Sequence, residues 1–456
     1  MKPLRGRILP LTSAITLIAT AASAQEFFRE FGTSRTSGGI GRLSPSAEVF
    51  EGNDPDGLSP IDSLDPMTET FEEEDYNFRL GNVDFILAAG LGVEFNDNIT
   101  LSNQDRLSDI IFRPSLDIEG VWRISENNRL RFGLGLSYAK YLDHDEYDSE
   151  SILISPTSAI AWTLKSGAFT ITLRERLSYQ EDPFDLPVLS GVANYARWEN
   201  QAGIQVDWDA NEFTRITFGY DRYDLWANDE FFESQDRGID TVYLRPSYQI
   251  SPYVTVGLNL SASWVDFDQN IQADALVYMI GPYVLWQVNE LLDVYVEVGY
   301  QRSDFDGGTS ATFVDANTGI VTSDFVTDEE DASSVYAKLE LRHRPTEFFR
   351  HKLIASKTTE VGFGSNYYDL YHVEYTADWK IGENTSLSPT LFYEYYETSG
   401  LLNEQASRFG AAIGIHHILS EHFTIGLDYR FLRKDSDQPD SDYYQNLALL
   451  SLYYKF

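Results

Sequence analysis

Arginines and carboxylates recur at every second position along much of this chain, and most of the residues between them are apolar. Arg129 and Arg131 flank Leu130, and Arg174 and Arg176 have the same spacing. In an extended strand, residues two positions apart project from one face, so each run predicts a charged face opposite an apolar face. If such strands close into a cylinder, opposed rows of arginine and carboxylate across the lumen would orient polar solutes and set an ion preference. The alternative is that these charges pair with one another and stiffen a polar wall.

The charges expected to face inward form a basic set and an acidic set, and a constriction would draw on both. The basic set is Arg113, Arg123, Arg129, Arg131, Arg174, Arg176, Arg215, Arg245, Lys338, Arg342, Arg408 and Arg430. The acidic set is Asp117, Glu119, Asp221, Glu297, Glu340, Glu374, Asp378 and Asp428. Four inward tyrosines are expected to be wall residues, with stacking on sugar rings as the alternative: Tyr295, Tyr336, Tyr396 and Tyr453.

Two clusters of closely spaced carboxylates lie in segments without this alternation. The first contains Asp143, Asp145 and Asp148, and the second contains Asp435, Asp437, Asp440 and Asp442. Calcium prefers carboxylate oxygens, so both clusters are calcium candidates, and solvated loops are the simpler interpretation. His144 stands within the first cluster, which makes a surface enzyme a further alternative there.

The rest of the sequence offers no catalytic machinery. His416 and His417 are adjacent on one predicted strand and point to opposite faces, which argues against shared ligation of a metal. There is no Gly-rich phosphate loop, zinc-ligand spacing or Gly-x-Ser-x-Gly motif. The absence of cysteine excludes disulfides and thiolate chemistry. We therefore expect a protein that is not an enzyme and that holds no cofactor.

The chain is strongly acidic, with 71 Asp and Glu against 34 Lys and Arg and a formal net charge of −37. This charge argues against nucleic acid as a partner, because phosphates repel it. The acidity is expected to serve solubility or a saline habitat, or else to attract cations. A mean hydropathy of −0.30 would suit a soluble protein. In a membrane barrel, however, every second strand residue faces water, so the average hides an apolar face.

The N-terminal region predicts export. A basic start is followed by an apolar stretch over 8–21 and by the small residues Ala22, Ser23 and Ala24, so residues 1–24 are predicted to be a signal peptide. Residues 25–78 are rich in Gly, Ser, Pro and acid and predict a flexible acidic periplasmic arm, with a small plug as the alternative. Residues 79–456 are predicted to form a transmembrane β-barrel.

Period-two alternation begins near residue 82 and recurs to the C-terminus, as in Val83, Phe85 and Leu87. Such alternation predicts strands with one apolar face. Eight short connections resemble tight hairpin turns, at 124–128, 165–168, 209–212, 250–253, 288–291, 344–347, 381–385 and 419–423. Eight hairpins plus one strand at each end predict about eighteen strands, and a barrel of that size normally encloses an aqueous lumen.

The other connections are long and acidic, notably 143–150, 228–233, 304–333 and 435–442. Outer-membrane barrels keep short turns in the periplasm and long loops outside the cell. Trp122, Trp162, Trp208, Trp286 and Trp379 each precede a short turn, as expected for a girdle at the periplasmic interface. The predicted fold is therefore all-β, a transmembrane antiparallel up-and-down barrel located in the outer membrane.

Two charges do not fit this pattern. Glu175 and Lys357 fall on otherwise lipid-facing alternations, where a charge at the bilayer midplane costs up to about 2–4 kcal/mol. A β-bulge that reverses the local facing is the favoured explanation. A subunit contact in a homo-oligomer is the alternative.

The last strand alternates through Leu450, Leu452 and Tyr454 and ends at Phe456. This pattern resembles the C-terminal signature of outer-membrane proteins, which the barrel-assembly machinery recognises. With the signal peptide and the repeated hairpins, the mature chain resembles outer-membrane β-barrel porin families of Gram-negative bacteria, some of them encoded beside extracellular-polysaccharide secretion systems.

The resemblance implies a transport function and a set of partners. A pore for polar solutes or for an extruded polysaccharide is expected, in contact with outer-membrane lipid and lipopolysaccharide and with periplasmic polysaccharide-export components as further partners. The alternatives are a surface enzyme with an acidic loop site and a structural or adhesive barrel.

Overall fold

The computed structural model describes residues 77–183, 186–314, 321–328, 331–400 and 403–456. The predicted signal peptide, residues 1–24, lies outside these ranges, and so does the predicted arm apart from residues 77 and 78. The predicted loop at 304–333 is described only in part.

The wall of the molecule is one antiparallel sheet that closes on itself. Closure leaves no strand edge with unpaired backbone groups, which a bilayer could not satisfy. The sheet has 21 strands, of which three are the short segments Phe78–Leu80, Lys140–Tyr141 and Leu153–Ile154. The remaining eighteen strands make the wall, and the predicted strand number is confirmed.

The wall strands, numbered β1 to β18 in chain order, each pair with the next, and β18 pairs with β1 through registers such as Leu450 with Val93. This is the predicted up-and-down topology. The bounds are β1 Val83–Asn96, β2 Asp109–Ser125, β3 Asn128–Ser137, β4 Ala159–Ser166, β5 Phe169–Gln180, β6 Arg197–Asn211, β7 Thr214–Ala227, β8 Arg237–Ser251, β9 Val254–Phe267, β10 Asp274–Asn289, β11 Leu292–Asp306, β12 Ala332–Thr346, β13 Phe349–Val361, β14 Tyr367–Lys380, β15 Thr385–Thr398, β16 Gln405–Ile418, β17 Phe423–Ser436 and β18 Tyr443–Lys455.

Alternate positions of each strand differ sharply in exposure. Leu91 and Leu427 are 53% and 52% exposed, as expected for side chains that face lipid. The alternate positions Glu94 and Asp428 are 1% and 6% exposed and therefore lie on the lumen side. Apolar residues thus cover the outside of the barrel, and its buried core lies on the inner face and beneath the loops.

Eight short connections join the strands at one end, and all eight lie where the sequence predicts hairpin turns. The turn between β4 and β5 contains Gly167 with a φ of 61°. Tight hairpin turns need this left-handed conformation, and glycine adopts it readily. Following the rule for outer-membrane barrels, we call this end periplasmic and the other end extracellular. Four of the five predicted girdle tryptophans, Trp122, Trp208, Trp286 and Trp379, are exposed near the periplasmic end.

The extracellular connections are longer and carry their own short elements. The β3–β4 connection contains Lys140–Tyr141, the 3₁₀ helix Asp145–Tyr147 and Leu153–Ile154, and the β7–β8 connection contains the 3₁₀ helix Glu230–Gln235. The β11–β12 connection contains a hairpin of Thr309–Val314 and Val321–Asp328. No helix in the described ranges is long and apolar enough to cross a membrane.

The prediction of a β-bulge at Glu175 and at Lys357 is wrong, because the structure has no bulge at either residue. Strand pairing runs without a register shift through both residues, so both side chains face outward. Lys357 is compensated by Asp369 on the neighbouring strand, with Nζ and Oδ1 3.0 Å apart. Glu175 makes no ion pair within the described residues, and its predicted role in a subunit contact stays a prediction.

Candidate functional site

The predicted lumen charges lie on the inner face, and many form ion pairs along the wall. The paired arginines are Arg113 with Glu94 (2.6 Å), Arg123 with Asp84 (2.7 Å), Arg174 with Asp221 (2.8 Å), Arg342 with Glu340 (2.6 Å) and Arg408 with Glu394 (2.6 Å). The two partners belong to the same strand or to strands no more than two apart. These contacts support wall stiffening, rather than opposed rows across the lumen, as the role of these five arginines.

Other predicted lumen residues have neutral partners or rim positions. Arg176 donates to Gln201 (2.7 Å), Arg430 donates to Gln445 (3.1 Å), and Arg245 lies 5.2 Å from the centre of the Tyr243 ring. Arg129 is directly opposite Arg123 beside a periplasmic turn. The inner face also carries Arg131, Arg215, Lys338, Asp117, Glu119, Glu374, Asp378 and Asp428.

Two of the four predicted inward tyrosines donate hydrogen bonds to the same carboxylate. Tyr295 and Tyr336 both donate hydrogen bonds to Glu297, and Asn259 donates a third at 2.9 Å. Because their hydroxyls are already used, the wall role is better supported for these two tyrosines than sugar stacking.

A loop that the sequence analysis did not single out crosses the extracellular mouth. It joins β5 to β6 and comprises residues 181–196, of which 184 and 185 lie outside the described ranges. Its Val188 packs against Tyr368, Leu370, Tyr396 and Ala406 of β14, β15 and β16. In a barrel of eighteen strands these lie about halfway round from the strands that carry the loop. The loop therefore spans the lumen.

Polar contacts hold the tip of this loop against the far wall. Lys434 of β17 is buried and donates to Ser190 Oγ at 2.9 Å and to the Val188 carbonyl at 3.5 Å. Its charge is compensated by Glu404, 3.0 Å away. Gly191 N also donates to the Leu101 carbonyl at 2.9 Å. A buried ammonium needs such partners, so Lys434 ties the loop to a fixed position.

On one side of the crossing loop, apolar side chains form a buried cluster. Leu189 and Tyr195 of the loop pack with Ala227 and Phe232 of the β7–β8 region, and Phe363 of the β13–β14 connection joins them. The rings of Tyr195 and Phe232 are 4.7 Å apart and meet edge to face. Contacts of this kind exclude water, so polar solutes would not pass here.

On the other side, a small polar cavity of about 60 Å³ lies between the loop and the wall. Its charged lining residues are Glu94, Arg113, Glu181, Asp182 and Arg430, with Asn96, Asn194 and Gln445 among the neutral ones. Three carboxylates thus face two guanidinium groups. We call this space the mouth cavity.

Glu181 stands at the root of the crossing loop, directly after β5. Ser149 Oγ donates to its carboxylate at 2.8 Å. Burial raises the pKa of the Glu181 carboxyl above its ordinary value, because the charged form loses water. This carboxylate therefore takes up a proton at a higher pH than an exposed glutamate would.

The predicted calcium clusters do not come together. Lys140 pairs with Asp148, Arg433 pairs with Asp435 at 2.7 Å, and Gln104 donates to Asp440. Among the described residues, no group of three or more His, Asp or Glu is placed to hold a metal ion. His144 contacts Asp109 through Nδ1 at 3.0 Å, outside its own acidic cluster. Calcium binding by these clusters stays a prediction for all six candidates, Asp143, Asp145, Asp148, Asp435, Asp437 and Asp440.

The terminal strand has the facing that the assembly signature requires. Leu450, Leu452 and Phe456 are 51%, 43% and 53% exposed on the outer face. The rings of Tyr454 and Phe456 are 5.0 Å apart. Phe456 N donates to the Leu87 carbonyl at 3.1 Å, so the last residue also takes part in closing the barrel.

Comparisons with known proteins give likenesses of structure and none of sequence. No protein-family model matches the chain, and no curated protein matches it. Similar solved structures include OccK2 (OpdF) of Pseudomonas aeruginosa in complex with glucuronate, at 11% identity over 82% of this chain and 98% of that chain, with a TM-score of 0.44. They also include a BenF-like porin from Pseudomonas fluorescens, at 9% identity over 82% and 99% with a TM-score of 0.44. OmpT of Vibrio cholerae matches at 10% identity over 82% and 100%, with a TM-score of 0.40.

Proposed function

We propose that this protein is an outer-membrane pore for small polar solutes, and that loop 181–196 sets the width of its extracellular mouth. The observation that carries the proposal is the crossing loop itself. It packs against the opposite wall through Val188 and leaves a polar cavity beside an apolar seal. A barrel with only a structural or adhesive role has no need of such a division.

The mouth cavity is the proposed constriction. Glu181 and Asp182 follow β5, whereas Arg430 is on β17, so solutes would pass between carboxylates and a guanidinium group. With three carboxylates against two guanidinium groups, and acidic loops outside, we expect a weak preference for cations that salt screens.

Small solutes fit this mouth better than an extruded polysaccharide does. A polymer chain would need the loop to leave the wall, and the loop is held by Lys434 and by the packing of Val188. A surface enzyme at His144 is less supported, because His144 contacts Asp109 outside its acidic cluster and Asp148 of that cluster pairs with Lys140.

Single-channel recording in planar bilayers tests the proposal. The unmodified protein should conduct, and replacing residues 186–193 by a short Gly-Ser linker should raise the conductance several-fold, because the lumen is no longer divided. Heat-modifiable migration on gels would establish that the variant remains a folded barrel. Replacing the exposed residues Asp145 and Glu146 by serine, in another extracellular loop, is the matched control and should leave the conductance unchanged. A folded barrel that conducts neither before nor after the loop is shortened would overturn the proposal.

A further inference from the structure

Two histidines face each other on the outer surface of the barrel, one on each side of a periplasmic turn. His343 of β12 and His351 of β13 are directly paired across the hairpin whose turn is 347–348. They alternate with the outward residues Leu341 and Leu353, so both imidazoles lie on the lipid side. Both are half-buried and lie close to the turn 347–348, at the end that we call periplasmic.

The two rings present nitrogen atoms to one another at close range. His343 Nδ1 and His351 Nε2 are 2.9 Å apart, and the ring centroids are 5.0 Å apart. One nitrogen donates a proton to the lone pair of the other in this arrangement. If the donating ring moves that proton to its other nitrogen, the two lone pairs face one another, and a rotation of the rings would direct both toward one metal ion.

This spacing matches two adjacent ligands of one metal ion. Bonds of about 2.0–2.1 Å that meet at a right angle place two nitrogens about 2.9 Å apart, whereas tetrahedral bonds place them about 3.3–3.4 Å apart. Right angles between ligands are typical of tetragonal Cu²⁺ and Ni²⁺ sites, and copper binds imidazole most strongly among the divalent first-row metals. The observed distance therefore favours copper over tetrahedral zinc.

The surroundings keep the pair in place. The Phe349 ring stacks on His351 at 5.3 Å between centroids, and Tyr375 contacts the same ring at 5.6 Å. Other histidines are held by different groups: His144 by Asp109, His372 by Glu394 and His422 by the Lys455 carbonyl. Metal binding would cost this pair of histidines one contact, the hydrogen bond between the two rings.

We propose that His343 and His351 form a two-imidazole site for a divalent copper ion, with water in the remaining positions, that links β12 to β13 at the periplasmic surface of the membrane. The site lies on the outer face, so it is independent of the proposed pore function. Binding should be lost at acidic pH, because protonated imidazole has no lone pair for a metal.

Titration of the purified, detergent-solubilised full chain with Cu²⁺ tests the site. Electron paramagnetic resonance should show a tetragonal Cu²⁺ signal with hyperfine splitting from two nitrogens, and His343→Ala and His351→Ala should each weaken binding by at least about tenfold. His417→Ala is the matched control, because His417 is a single outward histidine near the same end and should leave the signal unchanged. Heat-modifiable migration would establish that each variant is folded. A two-nitrogen signal that persists in the double variant, or no such signal in the unmodified protein, would overturn the proposal.

Discussion

The two ends of this barrel share the same eighteen strands and connect them in opposite ways. At the periplasmic end the connections have two to four residues, whereas at the extracellular end they run from five residues, at 362–366, to twenty-five, at 307–331. Periplasmic side chains such as Trp286 and Trp379 face outward and are about half exposed, at 48% and 49%. At the extracellular end, Lys434 faces inward and is buried against the crossing loop, and Leu189 and Tyr195 of that loop are buried as well.

This difference suggests that the periplasmic end anchors the barrel in the membrane and that the extracellular end controls the passage of solutes. The periplasmic rim, meaning the outward side chains near the short turns together with Phe456, contacts lipid. Changes there should reduce the amount of assembled barrel, and the barrels that do assemble should conduct normally. The crossing loop divides the lumen at the extracellular mouth, so changes there should alter conduction and leave the barrel folded. A change at the periplasmic end that alters conduction, or a change at the mouth that alters assembly, would contradict this difference.

The largest expected effect is at the rim, on deletion of Phe456. Removing it deletes the bond from Phe456 N to the Leu87 carbonyl and the final aromatic residue of the assembly signature. Most of the heat-modifiable barrel should be lost from outer-membrane fractions, while export to the periplasm continues. Phe456→Tyr keeps the ring and is the control, with normal barrel levels expected. Normal levels in the deletion would contradict the role assigned to this residue.

A smaller effect is expected at the mouth, for Lys434→Met. The substitution keeps the length of the side chain but removes the bonds to Ser190 and Val188. Hydrogen bonds to charged groups contribute roughly 1.5–3 kcal/mol, so the loop should leave the wall about 10- to 100-fold more often. Bilayer recordings should show frequent steps to a higher conductance, with normal heat-modifiable migration. Lys165→Met, at a periplasmic turn, should show neither change.

The smallest effect concerns ion preference and pH. The raised pKa of Glu181 means that this carboxylate becomes neutral as pH falls, before the ordinary glutamate range near about 4.3 is reached. Cation preference, measured as a reversal potential at low salt, should therefore decline on mild acidification. Glu181→Gln should remove that early step and lower the preference at neutral pH. Glu126→Gln, in a periplasmic turn, should do neither. Strong anion preference in the unmodified protein would show that the mouth cavity does not control passage.

The rim and the wall could be predicted because they depend on local patterns. Period-two alternation defines each strand, and turn residues such as Gly167 mark the hairpins within a few positions of the chain. The outward girdle followed from the same alternation. Eighteen strands could thus be counted without knowledge of any contact between distant residues.

The mouth could not be predicted, because its contacts join residues far apart in sequence. Lys434 and Ser190 are separated by 244 positions. A local signal was present, since Leu186, Val188, Leu189 and Val192 make an apolar segment in what would otherwise be an exposed connection. Apolar residues in a loop indicate that the loop is covered or packs inward.

Cross-strand partners were the other failure of prediction. A charge on a lipid-facing position predicts a bulge at Lys357, but the structure compensates that charge with Asp369, twelve positions away, which only the strand register identifies. The pair of His343 and His351 was missed for the same reason, although the two residues are spaced almost symmetrically about a recognisable turn. The alternation of apolar and polar residues predicts which face of the sheet a side chain is on. Only the strand register identifies the side chain beside it on the next strand.

The crossing loop also has a mechanical consequence. A hollow cylinder of sheet resists stretching along its strands but flattens readily into an ellipse, because bending between neighbouring strands deforms few hydrogen bonds. Residues 181–196 act as a strut across the diameter, fixed to β5 and β6 at one side and seated on β14 to β17 at the other. Lateral pressure from the bilayer would then be carried by the strut, which would keep the cross-section round at the level of the extracellular mouth.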